Sequence, residues 1–324
     1  MSDILGIEDI RAAALRIAPH VRRTPVLRCA ALEEQTGASV FCKCENFQEM
    51  GAFKLRGASN AIFSLSQQAV AQGVATHSSG NHGTAVALAA KRRGVPACVV
   101  MPENASAYKK RAVAGYGASI IYCEATLRAR EAALAEYVRE TGAAVVHPYN
   151  DRAVMAGQGT AAMELHEEIP DLEVILVPLG GGGLLSGTAV ATRALRPGCS
   201  IIGVEPLGAD DAWRSLRSGR IETLPHPVTI ADGLRATLGP LTFAVIRDEA
   251  DGIVRVSEEA IISAMRFVWE HMKIIIEPSS AVVVAALRER LVEVKGRRVG
   301  AILSGGNVDL DCLPWQHAEE KTCG

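Results

Sequence analysis

Short apolar runs alternate with Ala-rich stretches of helical period along almost the whole chain. The runs 39–45 (SVFCKCE), 73–79 (GVATHSS), 97–102 (ACVVMP), 119–124 (SIIYCE), 144–149 (AVVHPY), 174–179 (VILVPL), 200–206 (SIIGVEP), 252–257 (GIVRVS) and 298–304 (RVGAILS) predict strands. Between them, 82–93, 107–115, 126–141, 157–168 and 183–195 repeat apolar positions at helical spacing. Another helix is entered through Ile7, Glu8 and Asp9, since acids suit a helix's first turn. Strand–helix alternation of this kind predicts βαβ units. So many strands exceed one comfortable sheet, so two α/β domains are expected, each with a mainly parallel twisted sheet flanked by helices. Ligands of such sheets bind at the carboxyl ends of strands, which directs attention to the loops there.

The 324 residues suffice for two cores. A net charge of −2 and a pI near 6.5 leave no basic field for nucleic acid or anionic membrane. No apolar run reaches transmembrane length, and the first residues lack the basic start and continuous apolar core of a signal peptide, so a cytoplasmic location is expected. The cysteines are scattered at 29, 42, 44, 98, 123, 199, 312 and 323, and Cys42 and Cys44 have strand spacing that puts them on one face. Without a second Cys/His pair at zinc-ligand spacing, they read as free, buried or half-buried thiols.

Three loops carry candidate chemistry. Ser78-Ser79-Gly80-Asn81-His82-Gly83 joins a strand to a helix, which suits an anion or a polar ring and equally suits a tight, well-capped turn. Gly180-Gly181-Gly182-Gly183 follows VILVPL and precedes a helix; four unscreened amides at a helix start make a cradle for a phosphate dianion. Ser304-Gly305-Gly306-Asn307 offers a hydroxyl at a strand end. A dinucleotide fingerprint fails, because G-x-G-x-x-G read from Gly180 ends on Leu185 and read from Gly181 ends on Ser186; no G-K-[ST] follows either.

Lys54 sits in GAFKLRG between Phe53 and Leu55. Its neighbours fit an ordinary helix-start lysine as well as a sheltered amine that loses its proton easily. A pocket lysine, a monophosphate cradle and a hydroxyl for a ring nitrogen are together what pyridoxal phosphate needs.

The segments Phe53-Lys54-Leu55-Arg56-Gly57-Ala58, His77 to Gly83, Ala156-Gly157-Gln158-Gly159-Thr160, Gly180 to Gly183 and Ser304 to Asn307 occur in an order that resembles the fold-type II (tryptophan synthase β-like) pyridoxal-phosphate enzymes, closest to serine racemases and short catabolic threonine/serine dehydratases. The resemblance implies a large cofactor domain over 1–65 and 151–324, a small mobile domain over 73–147, and connections at 66–72 and 148–150. It implies that Lys54 is the Schiff-base lysine, that Phe53 packs beside the ring, that Asn81 meets the ring hydroxyl, that Gly180, Gly181, Gly182 and Gly183 hold the phosphate, and that Ser304 meets the pyridine nitrogen. Ser79 is implied to face the substrate opposite Lys54 as a second catalytic group, with Ser78, Asn81 and His82 in the substrate loop. Glu205, the carbonyl of Ala209 and Asp211 match a segment that holds Mg2+, Ca2+ or Mn2+, and oxygen ligands suit such hard ions.

The implied reaction is dehydration of a small β-hydroxy amino acid (serine, threonine or 3-hydroxyaspartate) with release of ammonia and a keto acid, and racemisation of serine or an aspartate-type substrate as a related activity. The implied assembly is a homodimer. A dedicated 3-hydroxyaspartate dehydratase yielding iminosuccinate or oxaloacetate would need a cation for the second carboxylate, with Arg128, Arg130, Arg152 and Arg235 as candidates. The rival classes are a nucleotide-binding oxidoreductase and a catalytically silent pyridoxal-phosphate-binding protein.

Overall fold

A computed structural model describes residues 5–78, 80–105 and 107–316. In chain order it contains α1 (Ile7–Ile17), β1 (Val26–Arg28), α2 (Ala30–Thr36), β2 (Ser39–Cys44), α3 (Lys54–Ser64), β3 (Val74–His77), α4 (Asn81–Arg93), β4 (Ala97–Pro102), α5 (Ala107–Gly115), β5 (Ser119–Cys123), α6 (Leu127–Thr141) and β6 (Ala144–Val145). There follow α7 (Arg152–Glu168), β7 (Val174–Pro178), α8 (Gly183–Leu195), β8 (Ser200–Pro206), α9 (Asp211–Ser218), α10 (Pro240–Glu249), β9 (Gly252–Val256), α11 (Glu258–Met272), α12 (Pro278–Arg288) and β10 (Arg298–Leu303). Single 3-10 turns cover Glu45–Phe47, Leu207–Ala209 and Asp232–Leu234.

The strands form two sheets, one ordered β1-β2-β10-β7-β8-β9 and the other β5-β4-β3-β6. Every pairing is parallel except β1 with β2. Two mainly parallel α/β sheets are what the alternation predicts. β1 was not foreseen, because three residues are too few to show a period. The strand expected over 144–149 stops at Val145, since Pro148 cannot donate to a ladder and the His147 Nδ1 gathers the amides of Tyr149 (3.2 Å) and Asn150 (2.8 Å) into a turn. α7 starts at Arg152 rather than 157 because Asp151 caps it, accepting from the Val154 amide at 2.9 Å.

Period-two alternation sorts the central strands between two cores. Cys42, Cys44, Leu176, Val299 and Ala301 pack with Ile261, Met265, Val282 and Leu287 of α11 and α12. Phe41, Ile175, Val177 and Ile302 face the other way, toward α1, α7 and α8. Leu55, Ala58 and Ile62 of α3 pack on Ala85, Val86 and Ala89 of α4, joining the two sheets. The 156–160 motif works here as packing. A Cβ on Gly157 would sit 2.6 Å from the Arg56 carbonyl oxygen, and one on Gly187 would sit 2.3 Å from that of Met155, so α3, α7 and α8 touch backbone to backbone.

Arg56 lies fully buried at that crossing. Its guanidinium donates to both carboxylate oxygens of Glu45 (2.8 and 2.9 Å) and both of Glu164 (2.7 and 2.8 Å). The buried Lys43 Nζ completes the group, donating to Glu164 Oε2 at 2.6 Å. Two cations and two anions thus neutralise one another in the interior.

Cys42 and Cys44 do share one face, and burial pushes the Cys44 thiol up to about 12. The thiol expectation needs one correction: Cys312 is exposed, because it lies beyond the last strand in an open turn. Cys323 lies outside the described residues. No helix among the described residues is long and apolar enough to cross a membrane.

Candidate active site

Lys54 is the first residue of α3, as a helix-start lysine would be, yet its amine is not in open water. Nζ donates to the Pro148 carbonyl at 2.7 Å and stands 5.1 Å from the centre of the Phe53 ring. Loss of water around the amine brings its pKa down to about 8. The surrounding imidazoles do not add charge: burial keeps His77 down at about 4, and burial and then Lys54 itself hold His82 and His147 below their ordinary values.

The other sequence motifs converge on Lys54 through short connections. Phe53 N donates to the Ser304 carbonyl at 3.0 Å, and Ala52 bridges to Gly305 in an isolated antiparallel pair, so the buried Ser304 at the end of β10 adjoins the lysine. Tyr149, next after the Pro148 that accepts from Lys54, lies against the tetraglycine loop; a Cβ on Gly181 would come within 2.4 Å of its ring. Gly182 has φ +88°, which an L side chain rarely adopts, and the Thr242 hydroxyl donates to the Gly181 carbonyl at 2.9 Å. Among the described residues no acceptor engages the amides of Gly180, Gly181 and Gly182, which are buried at the N-terminus of α8. Asn81, the first residue of α4, donates to Glu277 Oε1 (2.8 Å) and accepts from Asn307 Nδ2 (2.9 Å). Glu277 N donates in turn to the Gly305 carbonyl at 3.0 Å, closing the ring of segments.

The family model described as "Pyridoxal-phosphate dependent enzyme" matches residues 17–305. The chain belongs to the pyridoxal-phosphate dependent enzymes. A serine racemase of Dictyostelium discoideum is 48% identical over 311 residues, 95% of this chain and 96% of that one. A beta-hydroxyaspartate dehydratase of Paracoccus denitrificans is 48% identical over 308 residues, 95% of this chain and 98% of that one. The structure of maize serine racemase superposes with a TM-score of 0.94 at 46% identity, covering 98% of each chain.

The residues present fit the cofactor of this pyridoxal-phosphate family. Buried amides without an acceptor at a helix start suit a phosphate dianion, and a desolvated amine suits attachment to an aldehyde. Ser79 lies outside the described residues. Ser78 Oγ accepts from the Gly80 amide at 3.1 Å, shaping the turn. His82 is buried and donates from Nε2 to the Val146 carbonyl at 3.1 Å, while its Nδ1 has no partner among the described residues.

Glu205 is the last residue but one of β8, and its two oxygens accept from the amides of Ala212 (3.1 Å) and Trp213 (2.8 Å). Asp211 opens α9 with Oδ2 buried and lacking a hydrogen-bond partner among the described residues. Burial, then the neighbouring Asp211, raises the Glu205 pKa well above the usual range; burial, then Asp210, raises Asp211 to about 7. Two crowded, desolvated carboxylates with free lone pairs fit a divalent cation. Among the described residues no three His, Cys, Asp or Glu side chains gather in metal-ligating geometry, so such an ion would rely on the Ala209 carbonyl and water for the rest.

The four candidate arginines separate. Arg152 makes a two-pronged ion pair with Asp9 of α1 (2.8 Å). Arg235 donates to the Thr229 carbonyl, and Arg128 is exposed. Arg130 is half-buried and has no carboxylate partner among the described residues; its Nε makes one long bond, to the Thr126 carbonyl at 3.4 Å. Sequence reasoning missed Glu277 and Tyr149 as parts of the site, and it named Asn307 only within the Ser304 loop, with no role of its own. The Glu-Pro pair opening an apolar helix was the available signal for Glu277.

Proposed function

We propose that this enzyme dehydrates a small β-hydroxy amino acid, releasing ammonia and a keto acid, and that it also racemises serine or an aspartate-type amino acid. The supporting observation is the half-buried Lys54 amine, held near pKa 8 beside a helix-start cradle of amides that find no acceptor among the described residues. When bound, pyridoxal phosphate supplies an electron sink that makes the Cα proton of an amino acid labile. Gly180 to Gly183 would hold its phosphate, Phe53 would flank its ring, Asn81 would meet its hydroxyl and Ser304 its ring nitrogen.

Lys54 Nζ would remove the Cα proton on one face, and Ser79 Oγ would return one on the other face during racemisation. Ser78, Asn81 and His82 would form the substrate loop. Glu205, the Ala209 carbonyl and Asp211 would hold Mg2+, with Ca2+ or Mn2+ as substitutes. The small domain over 73–147 would close on the large one, and the protein would work as a cytoplasmic homodimer.

The test is keto-acid formation from both enantiomers of serine, L-threonine and the four 3-hydroxyaspartate stereoisomers, with and without Mg2+. At least one should react, and Lys54→Ala should abolish the product. Product that survives Lys54→Ala, or no product from any substrate, would overturn the reading.

A second reading, a dedicated 3-hydroxyaspartate dehydratase, is favoured by Arg130, the half-buried candidate arginine without a carboxylate partner among the described residues. Loss of a charged hydrogen bond predicts that Arg130→Ala lowers kcat/KM by about 10–100-fold. Arg152→Ala, which only frees Asp9, should stay within about twofold because exposed ion pairs contribute little.

A further inference from the structure

Arg255 is the residue directly across from Glu205 in the parallel pairing of β8 with β9. An ion pair between these neighbours would be the obvious outcome, yet none joins them. Arg255 Nη1 instead donates to Asp210 Oδ2 at 2.7 Å. Asp210 is buried, and its Oδ1 accepts from Arg214 Nε at 2.7 Å, so both of its oxygens are engaged by arginine. The diverted guanidinium lies over the Trp213 ring, 3.6 Å from its centre, and Arg217 approaches the same ring at 4.6 Å. Trp213 is also the residue whose amide donates to Glu205 Oε2. Among the described residues Glu205 therefore keeps backbone amides as partners and no cation, while Oδ2 of Asp211, the residue after Asp210, stays without a partner.

We propose that Asp210 is a positioning residue that draws Arg255 away from Glu205, parks it on Trp213, and so keeps the Glu205–Asp211 pair open to a divalent cation. The proposal rests on the cation reading above. With Asp210 neutralised, Arg255 is free to turn to its cross-strand neighbour and occupy the place of the ion.

The test uses the full chain with pyridoxal phosphate bound, stripped of divalent ions and titrated with Mn2+ by calorimetry. Wild type should bind saturably and Asp211→Asn should not. Asp210→Asn should weaken binding by about 10–100-fold, the usual range for a residue behind the ligands. Arg255→Met alone should change affinity by no more than about twofold, yet the Asp210→Asn/Arg255→Met double variant should return to within about twofold of wild type. That non-additivity separates displacement of an arginine from simple loss of one negative charge, for which Arg255→Met would act by the same factor in both backgrounds. Asp210→Asn should also shift tryptophan emission before any Mn2+ is added, and Trp213→Phe should remove that shift. Asp210→Ser replaces Asp210→Asn in the cycle if the latter melts early. Unchanged Mn2+ affinity in the Asp210 variants, or equal factors in the cycle, overturns the proposal while leaving the cation site standing. Absence of saturable binding in wild type, or unchanged binding in Asp211→Asn, overturns both.

Discussion

At the scale of single residues, Lys54 shows what a local sequence can and cannot say. Its flanks, Phe53 and Leu55, fit a helix start and a sheltered amine alike, and it is both. What separates the functions is the Pro148 carbonyl, brought in from a loop almost a hundred positions away, which no local pattern contains. With a folded pKa of about 8 against an ordinary 10.5, the unfolded chain binds the extra proton between those values. The sign follows directly: the penalty on stability is complete below pH about 8 and is lifted as pH rises from about 8 to 10.5. For reactivity, capture of pyridoxal phosphate by the cofactor-free chain should quicken about tenfold per pH unit up to about pH 8 and then level off. Stopped-flow absorbance would follow this, and a flat profile between pH 6 and 8 would contradict it.

At the scale of elements, strands of four or more residues and the Ala-rich helices were readable because each repeats its period. β1 and the shortened β6 were not, being decided by pairing and by the turn at His147. The motif around Arg56 was readable as a motif, but the work of Arg56 was not, since Glu45 and Glu164 lie on separate elements. The doubly bidentate arrangement fixes α3, and with it Lys54, against α7. Removing the guanidinium leaves the buried Glu45 carboxylate without a cation and the half-buried Glu164 with Lys43 alone, which predicts that Arg56→Met destabilises the chain by about 3–5 kcal/mol. Urea unfolding measures this; a loss below 1 kcal/mol would show that the charges are better solvated than their burial implies.

At the scale of the whole molecule, the division into two α/β sheets followed from the number of strands, but the connections between the sheets did not. Glu277 is one of them: it joins Asn81, which follows the smaller sheet, to Gly305, which follows the larger. Lys109 of α5 pairs with Asp232 nearby, adding a second tie. Burial, then the Asp232 charge, raises the Glu277 carboxyl to about 7. Between pH about 4.5 and 7 the folded chain holds a proton that the unfolded chain has lost, so stability falls as pH rises through that window. Glu277→Gln escapes the loss, and its melting temperature should exceed wild type by about 2–4 °C at pH 8, with the gain vanishing near pH 4.5. A gain of equal size at both values would assign the effect to packing instead.

The strand order also carries a consequence for how the chain is made. All four strands of the smaller sheet lie within 74–145, so that lobe can assemble as soon as this stretch is synthesised. The larger sheet cannot: β10, residues 298–303, must insert between β2 and β7, pairing with residues 39–44 from the opposite end of the sequence. Until it does, the apolar edges of β2 and β7 stay open, the state in which chains of this size aggregate. Ser304, which adjoins the lysine, comes directly after that strand, so on the function proposed above a nascent chain would have no complete cofactor pocket to offer, and vitamin capture would wait for β10 to be threaded into the sheet.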